Sequence, residues 1–481
     1  EAQLRVRFSP YRTVFHTQWR TATHSSTMGR KSTLACELVG TYMLTFTIGC
    51  NVLSQASPLW APIGVAFVYL MLVAAFTFVC DAHLNPAVSI AAGLAGSIPG
   101  GEVLGNICMQ LLGAVGGSFC ASSLLWPMEL SLSPGANFTW YEAMLVESIY
   151  TAMLAFVVLN TWHSQKNNFK FDPNQFYPLA IGFVYVAGGY SAAPISGGQF
   201  NPAVSIGLAA SCRDNSFFWG FIYATFQLVG AFLAAILYRL VRYEHPTDGT
   251  HDADIVLPTK LACEFIGTFM LTLTVGLNCL AGSPATAIAA GASLSSMVYA
   301  LGDVSGAHLN PAVTLGIGLA GRGCTLVTGI CYWIVQLAAG MIAALLAVGV
   351  YGGKTYSTDP KEGYTHLQAV ILEAIFTCSL VLTVLSTATI VGVPSKMTRN
   401  FYYGLAIGMS VAVGGTTIGA ISGGWMNPAV LFGSAVSSTL EHGRLGSCWR
   451  NILGELVGAC CASGIFCLTH TKEVRKAIKG T

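Results

Sequence analysis

Long apolar segments recur along the whole chain, and short polar stretches separate them. Six lie at about 33–53, 59–80, 101–126, 140–162, 175–193 and 216–241, and six more at about 259–280, 285–302, 323–351, 366–388, 400–419 and 447–470. Each is close to the roughly 20 residues that a helix needs to cross a bilayer. The pattern predicts an all-α integral membrane protein.

The composition supports this prediction and narrows the function. Of the 481 residues, 53% are hydrophobic and only 9% are charged, whereas about a quarter are charged in soluble chains. The net charge of +2 gives no reason to expect nucleic acid as a partner, and membrane lipid is the expected surrounding. The sequence has no nucleophile–base set, metal-ligand spacing or nucleotide-binding loop. We therefore expect no enzyme, no catalytic residue, no metal and no cofactor.

The chain is a duplication. KSTLACELVGTYMLTF at 31–46 returns as PTKLACEFIGTFMLTL at 258–273, and equivalent positions stay near 226 residues apart. The polar stretch RYEHPTDGTHDADIVLP at 242–258 is typical of an exposed linker. The predicted division is a basic tail at 1–31, unit 1 at 32–242, a linker at 243–257, unit 2 at 258–471 and a basic tail at 472–481.

Each unit repeats again. The pattern E-x-x-x-T opens an apolar segment four times, and Asn-Pro-Ala follows some fifty residues later each time. A quarter of the chain then holds three spans, so consecutive quarters insert with opposite orientation. Inverted repeats place their functional site at the midplane, between the halves. We expect the four glutamates to brace the loops before Asn-Pro-Ala and to be the only mid-span acids: Glu37, Glu147, Glu264 and Glu373. A proton relay and a simple helix-end carboxylate are the alternative roles.

The Asn-Pro-Ala tripeptides predict half-helices. Asn is a preferred N-cap and Pro a preferred first helical residue, and the apolar run that follows is too short to span. Half-helices should begin at Asn85-Pro86-Ala87, Asn201-Pro202-Ala203, Asn310-Pro311-Ala312 and Asn427-Pro428-Ala429. In an inverted pair the two N-termini meet. We expect Asn85 opposite Asn201 and Asn310 opposite Asn427, where partial positive charge and amide donors face a pore.

This combination of motifs resembles the aquaporin (major intrinsic protein) family over about 33–470. GAHLNPAVTLG at 306–316 and LAIGMSVAVGG at 405–415 are similar to family sequences as well. The resemblance implies two hourglass units, each with six transmembrane helices and two half-helices around a pore. It implies passive passage of water or small neutral solutes, and a homodimer of tandem chains that supplies four pores.

The constriction departs from the family pattern. Most aquaporins have Arg after the second Asn-Pro-Ala, where this chain has Val204 and Val430. Counted from the motifs, the resemblance puts Phe67, Gly189, Gly198 and Val204 at the constriction of unit 1, with Val65 as the alternative to Phe67, and Ala290, Gly415, Gly424 and Val430 at that of unit 2. The side chains of the unit 2 set are small and uncharged. They predict a wider, less polar pore for glycerol, urea, ammonia or hydrogen peroxide.

Two other functions stay open. Without the Arg, the chain could be a structural membrane protein with closed or vestigial pores. An ion-coupled transporter is the third reading, and the expected lack of mid-span acids beyond the four glutamates disfavours it.

Positive charge predicts the orientation. Most Lys and Arg lie on the side where the first span begins, among them Arg30, Lys31 and Arg242, which puts both termini in the cytoplasm. NFT at 137–139, on a loop predicted to face outward, makes Asn137 a possible glycosylation site. The plasma membrane and internal membranes both fit, and the Arg- and Ser-rich segment 1–31 leaves organellar targeting open.

Overall fold

The computed structural model describes residues 29–77, 79–164, 168–169, 172–212, 217–242, 255–390, 401–442, 445 and 448–471. The helices of unit 1 are α1 (Arg30–Leu53), α2 (Ala61–Phe76), α3 (Pro86–Ala95), α4 (Gly100–Leu124), α5 (Trp140–Val158), α6 (Tyr177–Ser196), α7 (Pro202–Ser211) and α8 (Phe217–Val241). Those of unit 2 are α9 (Leu257–Leu280), α10 (Thr286–Ser305), α11 (Pro311–Leu319), α12 (Leu326–Val350), α13 (His366–Ala388), α14 (Tyr403–Ile418), α15 (Pro428–His442) and α16 (Cys448–Thr469). A π-helical turn, Leu159–His163, extends α5, and β1 (Asn168–Phe169) pairs antiparallel with β2 (Asp172–Pro173).

The predicted all-α membrane architecture is confirmed. Ten helices of the described chain are long and apolar enough to cross a membrane. The shorter α2 and α14, of 16 residues each, take the places of the two other predicted spans. The half-helices α3, α7, α11 and α15 all begin at the proline of an Asn-Pro-Ala motif. Most of the predicted tails and linker (1–28, 243–254 and 472–481) lies outside the described residues.

Glycines set how closely the spanning helices approach one another. A Cβ on Gly113 of α4 would lie 2.2 Å from the carbonyl oxygen of Leu38 on α1. In unit 2, a Cβ on Gly458 of α16 would lie 2.2 Å from the carbonyl oxygen of Ala374 on α13. Small residues of this kind allow helix backbones to touch in a membrane. The same device therefore recurs in corresponding quarters of the repeat.

The two units meet through α5 and α6 of unit 1 and α9 and α10 of unit 2. In the most apolar 18-residue stretch, 78% of the residues are buried in α5 with its extension, 78% in α6, 72% in α9 and 78% in α10. The corresponding helices on the outer flanks are far less covered, at 44% for α1 and 39% for α13. One pair of faces is thus buried within the chain, and its repeat-related pair is not.

An ion pair between the buried Arg242 and the partly buried Asp303 ties the end of unit 1 to unit 2. The Arg242 guanidinium donates to both carboxylate oxygens of Asp303 on α10, at 2.5 and 2.8 Å. Arg242 Nε also donates to Asn160 Oδ1 at 2.7 Å. A buried charge is tolerated when it is paired and hydrogen-bonded in this way. The junction between the two units is therefore held by specific polar contacts as well as by helix packing.

Candidate functional site: the paired half-helix pores

Each asparagine of the four motifs caps its own half-helix. Asn85 Oδ1 accepts from the Ala87 N–H at 2.9 Å, and Asn201 Oδ1 accepts from the Ala203 N–H at 3.0 Å. The same bond is 2.8 Å long at Asn310 and 3.0 Å long at Asn427. Capping leaves the helical N–H groups and their partial positive charge directed at the midplane.

The same side chains pair the half-helices across each unit. Asn85 Nδ2 donates to the Phe200 carbonyl at 2.9 Å, and Asn201 Nδ2 donates to the Leu84 carbonyl at 2.8 Å. The equivalent bonds of Asn310 and Asn427 in unit 2 are 2.8 and 2.9 Å. This is the pairing expected from the inverted repeat. In unit 2, where both asparagines line a cavity, each amide retains a second N–H for a passing oxygen.

Strained backbone precedes each asparagine. The residue before it is bulky yet has positive φ in every motif: Leu84 at 50°, Phe200 at 52°, Leu309 at 51° and Met426 at 49°. Such a conformation costs about 1–3 kcal/mol for each residue and persists only where its surroundings hold it. The loops therefore need an external brace.

The four glutamates supply that brace. Glu147 accepts the backbone N–H groups of Gln199 and Phe200, at 2.9 and 2.8 Å. Glu37, Glu264 and Glu373 accept the two corresponding loop N–H groups at 2.7–3.0 Å. All four are fully buried. They lie where the sequence analysis expected them and hold the loops before the half-helices.

A glutamine completes three of the four braces, and a glutamate replaces it in the fourth. Gln110, Gln227 and Gln336 donate Nε2 to Glu37, Glu147 and Glu264, at 2.7, 2.8 and 2.9 Å. In the last quarter Glu455 stands at this place on α16. Its Oε1 accepts the Asn427 N–H at 3.1 Å, while Oε2 has no partner among the described groups. The expectation that mid-span acids are confined to the four glutamates is therefore wrong.

Unit 2 contains a cavity of about 520 Å³ that runs through the midplane. We name the two faces of the membrane by α1: the inner side is the one on which α1 begins. His308 lines the cavity toward the inner side, and Asn310 and Asn427 line it at the midplane. All four residues assigned to the unit 2 constriction line its outer part: Ala290, Gly415, Gly424 and Val430.

Trp425 adds a polar group to this cavity. Its ring lines the outer part, and its indole Nε1–H is buried without an acceptor among the described residues. An unpaired buried donor costs about 1–3 kcal/mol, so a passing oxygen that accepts from it would be favoured. The sequence analysis missed this residue because it counted only positions known for the family constriction.

The cavity of unit 1 is smaller and does not include the motif asparagines. It measures about 420 Å³ and is lined by Val65, Gly189 and Gly198. Phe67 is 56% exposed and does not line it, so the assignment of Phe67 to the constriction is wrong. Val65 lies 20 residues before Asn85, as Ala290 lies 20 residues before Asn310, and residue 67 lies about 200° further around the helix. Val204 is fully buried and lies outside this cavity.

Two tyrosines fill the centre of unit 1. Tyr185 packs against Tyr69 with ring centroids 4.9 Å apart, and Phe200 lies 5.9 Å from it. The Tyr69 hydroxyl donates to the His83 carbonyl at 2.6 Å. The repeat places Leu294 and Val411 at the corresponding positions of unit 2, where both line the cavity.

The exposure of the motif asparagines also differs between the two units. Asn310 and Asn427 are 3% and 4% exposed, whereas Asn85 and Asn201 are 0% exposed. A water-sized sphere therefore reaches the midplane asparagines of unit 2 but not those of unit 1.

Asn137 lies in the loop between α4 and α5 and is exposed. Thr139 of the same tripeptide accepts the Tyr141 N–H and so caps α5. The side chain of Asn137 is accessible, and the sequon lies just before a span.

The comparisons with known proteins agree with this geometry. The Major intrinsic protein family model matches residues 22–238, 179–281 and 276–466. Aquaporin TIP2-3 from Arabidopsis thaliana is 40% identical over 204 residues, which are 40% of this chain and 78% of that protein. Probable aquaporin TIP2-1 from Oryza sativa subsp. japonica is 38% identical over 186 residues, which are 39% and 72% of the two chains.

A solved structure, the aquaglyceroporin from Plasmodium falciparum, matches 44% of this chain and 96% of its own, with 20% identity and a TM-score of 0.39. The family-model matches recur along the chain, and each relative covers less than half of it, as expected for two family units in one chain. The chain belongs to the major intrinsic protein family, as a tandem of membrane channel units.

Proposed function

We propose that unit 2 is the conducting pathway for water and small neutral solutes, of the glycerol, urea, ammonia and hydrogen peroxide class. The observation that carries the proposal is the cavity that joins His308, the paired Asn310 and Asn427 and the outer constriction. Channels for water or small solutes are the family function, and the chain's relatives are called aquaporins.

The chemistry of the cavity supports neutral solutes with some carbon. Gly415, Gly424 and Ala290 contribute almost no side chain to the constriction, and Val430 offers no charge. The asparagine amides and the Trp425 indole offer donors inside the cavity, and Asn278, Thr416 and Lys361 add polar side chains to its lining. Cations are opposed by the two half-helix N-termini, an electrostatic barrier of the kind described for aquaporin-type pores. This pore lacks the second device, the arginine.

Unit 1 fits the second function, a closed pore with a structural role. Tyr185 and Tyr69 occupy the place where unit 2 has Val411 and Leu294, and Asn85 and Asn201 are inaccessible. Unit 1 also covers α9 and α10 of unit 2, so it contributes packing whether or not it conducts.

We further propose that two chains form a four-pore assembly. Within one chain, α5 and α6 cover α9 and α10. Among the described residues, the repeat-related faces, α13 with α14 and α1 with α2, are exposed, and α13 presents Leu367, Ile371 and Ile375 at 49–68% exposure. A second chain related by a two-fold axis would bury both free faces with the same packing and close the ring. Mass measurement in mild detergent tests this, and a chain that stays monomeric contradicts it.

For the orientation in the membrane we retain the proposal made from the sequence. It places both termini in the cytoplasm and Asn137 on the opposite side, where glycosylation takes place. Either the plasma membrane or an internal membrane would satisfy this. Removal of N-linked glycan from wild type and from Asn137→Gln, followed by electrophoresis, tests the exposure of this loop.

Vesicle measurements test the channel proposal. Purified chain is reconstituted, and stopped-flow light scattering follows water, glycerol, urea and ammonia in turn, with a peroxide-sensitive dye for hydrogen peroxide. Val411→Tyr serves as the matched closed control, because it copies Tyr185 into unit 2. We expect wild type to exceed both protein-free vesicles and Val411→Tyr for water and for at least one carbon-bearing solute. Equal rates in wild type, Val411→Tyr and protein-free vesicles would contradict the channel proposal and leave a structural role as the remaining function.

A further inference from the structure

Two imidazoles and a carboxylate converge at the inner side of unit 1. Asp81 and His83 belong to the loop that leads into α3, and His163 ends the π-helical extension of α5. One ligand atom from each lies within 4.8 Å of the others. His83 is buried, and the other two are half-buried. The rest of the pore machinery uses none of these side chains for bracing or capping.

The imidazole geometry matches a shared metal ion. His83 Nε2 lies 3.1 Å from His163 Nε2. Two histidines on one tetrahedral zinc, each with a bond of about 2.0–2.1 Å, place their nitrogens roughly 3.3 Å apart. The pair therefore already has nearly the separation of co-ligands, and a carboxylate oxygen of Asp81 lies within 4.8 Å of a ring nitrogen of each histidine.

The hydrogen bonds that His83 and Asp81 make on their other atoms are those expected of metal ligands. His83 Nδ1 lies 3.0 Å from Ser89 Oγ, so the ring can direct Nε2 at an ion while Nδ1–H donates to the hydroxyl. Trp162 Nε1–H donates to Asp81 Oδ1 at 3.1 Å. Metal-ligating histidines usually donate their second N–H, and bound carboxylates are hydrogen-bonded in turn.

Unit 2 provides an internal contrast. His308 keeps the contact of Nδ1 with a hydroxyl, that of Thr314, at 3.1 Å. The repeat places Gly306 where unit 1 has Asp81, and Thr389 where it has His163. The loop fold thus requires only the first histidine, and the other two ligands are extra chemistry confined to unit 1.

We propose that Asp81, His83 and His163 form a binding site for a borderline divalent metal ion of the zinc class, with water in the fourth position. Imidazole with one carboxylate suits zinc, copper or nickel better than calcium or magnesium. The ion would link the loop before α3 to the end of α5. The site depends on the fold and not on which unit conducts.

Zinc titration of the untagged full chain in detergent tests the proposal, after removal of metal with a chelator and in competition with a chromogenic chelator. We expect one tight Zn²⁺ per chain. His163→Thr, which copies Thr389, should weaken this binding at least tenfold, because it removes a ligand and not merely an outer contact. His366→Gln removes an exposed histidine elsewhere and should change nothing.

Asp81→Asn is the second variant, because the amide can still accept from Trp162 while binding metal less well. Zn²⁺ should raise the thermal unfolding midpoint of wild type and His366→Gln, since a ligand that binds the folded state stabilises it. The rise should be lost in Asp81→Asn and in His163→Thr. Zinc affinity in wild type no tighter than in a folded ligand variant overturns the site. Should His163→Thr fail to fold, Asp81→Asn alone decides.

Discussion

The two units share one scaffold and differ in what fills its centre. Both hold paired half-helices, crossed asparagine amides and glutamate braces with distances that agree to within a few tenths of an ångström. Unit 1 places Tyr69 and Tyr185 at the midplane, whereas unit 2 places Leu294 and Val411 there. The scaffold therefore persists whether or not its midplane asparagines are accessible, because its polar network is made by loops and caps alone. An intact motif identifies the fold but does not establish conduction.

Exchanging the central residues should have the largest effect. Val411→Tyr should reduce water permeability to near that of protein-free vesicles, since a phenol ring then fills the centre of the unit proposed to conduct. Adding Tyr185→Val to this variant should restore part of the conduction, now through unit 1, and to less than the wild-type level because Tyr69 remains. Stopped-flow rates for wild type, both single variants and the double variant are the measurement.

Folding must be matched in this series, so elution volume and thermal midpoint are compared first. Should Val411→Tyr retain the wild-type rate in correctly folded protein, unit 2 is not the main pathway. Should Tyr185→Val alone raise the rate many-fold, the opened unit 1 would conduct far better than unit 2, which contradicts the limit expected for unit 1.

Introducing an arginine at the constriction should have the next largest effect on permeability. Val430→Arg should lower glycerol permeability more than water permeability, because the guanidinium narrows the pore beside Gly415 and Gly424. A steric misfit in a pocket costs about 1–3 kcal/mol, or tenfold and more in rate. The charge needs loop carbonyls as partners, since an unpaired buried charge destabilises the loop.

Val204→Arg is the matched control for this prediction. Val204 holds the same repeat position but lies outside the cavity of unit 1, whose midplane asparagines are inaccessible. Folded Val204→Arg should leave the glycerol-to-water ratio unchanged. An equal shift in both variants would contradict the assignment of selectivity to unit 2.

Removing the indole donor should have a smaller effect. Trp425→Phe keeps an aromatic ring in the cavity and deletes the unpartnered Nε1–H. One neutral hydrogen bond contributes about 0.5–1.5 kcal/mol, so glycerol or urea rates should fall roughly two- to tenfold. Gln199→Leu, at the repeat-related place in unit 1, is the control. Unchanged rates in Trp425→Phe would mean that solutes bypass the indole.

The sequence predicted the scaffold well because its rules are local or symmetric. Asn before Pro specifies a capped half-helix, and two inverted quarters require Asn85 opposite Asn201. Periodicity could not predict which face of α2 turns inward, so Phe67 was assigned wrongly. Nor could it predict Tyr185 as an occluding ring, because the position of a side chain within a pore depends on packing between distant helices. Asp81, His83 and His163 come together only through the fold.

The smallest expected change concerns stability and not flux. Glu455 and Glu373 accept N–H groups from consecutive residues of one loop, so two carboxyl groups share a buried site where unit 1 has Gln227 beside Glu147. Like charges at such a site repel, and Glu455 Oε2 finds no donor among the described groups.

Glu455→Gln should supply an Nε2–H to Glu373 and keep an acceptor for the Asn427 N–H. We expect a gain of about 1 kcal/mol in the free energy of unfolding, seen as a higher thermal midpoint, with permeability unchanged. Gln227→Glu in unit 1 is the reverse exchange and should lower the midpoint. A lower midpoint in Glu455→Gln would show that the carboxyl makes a contact that an amide cannot replace, and a changed permeability would make Glu455 part of the pathway.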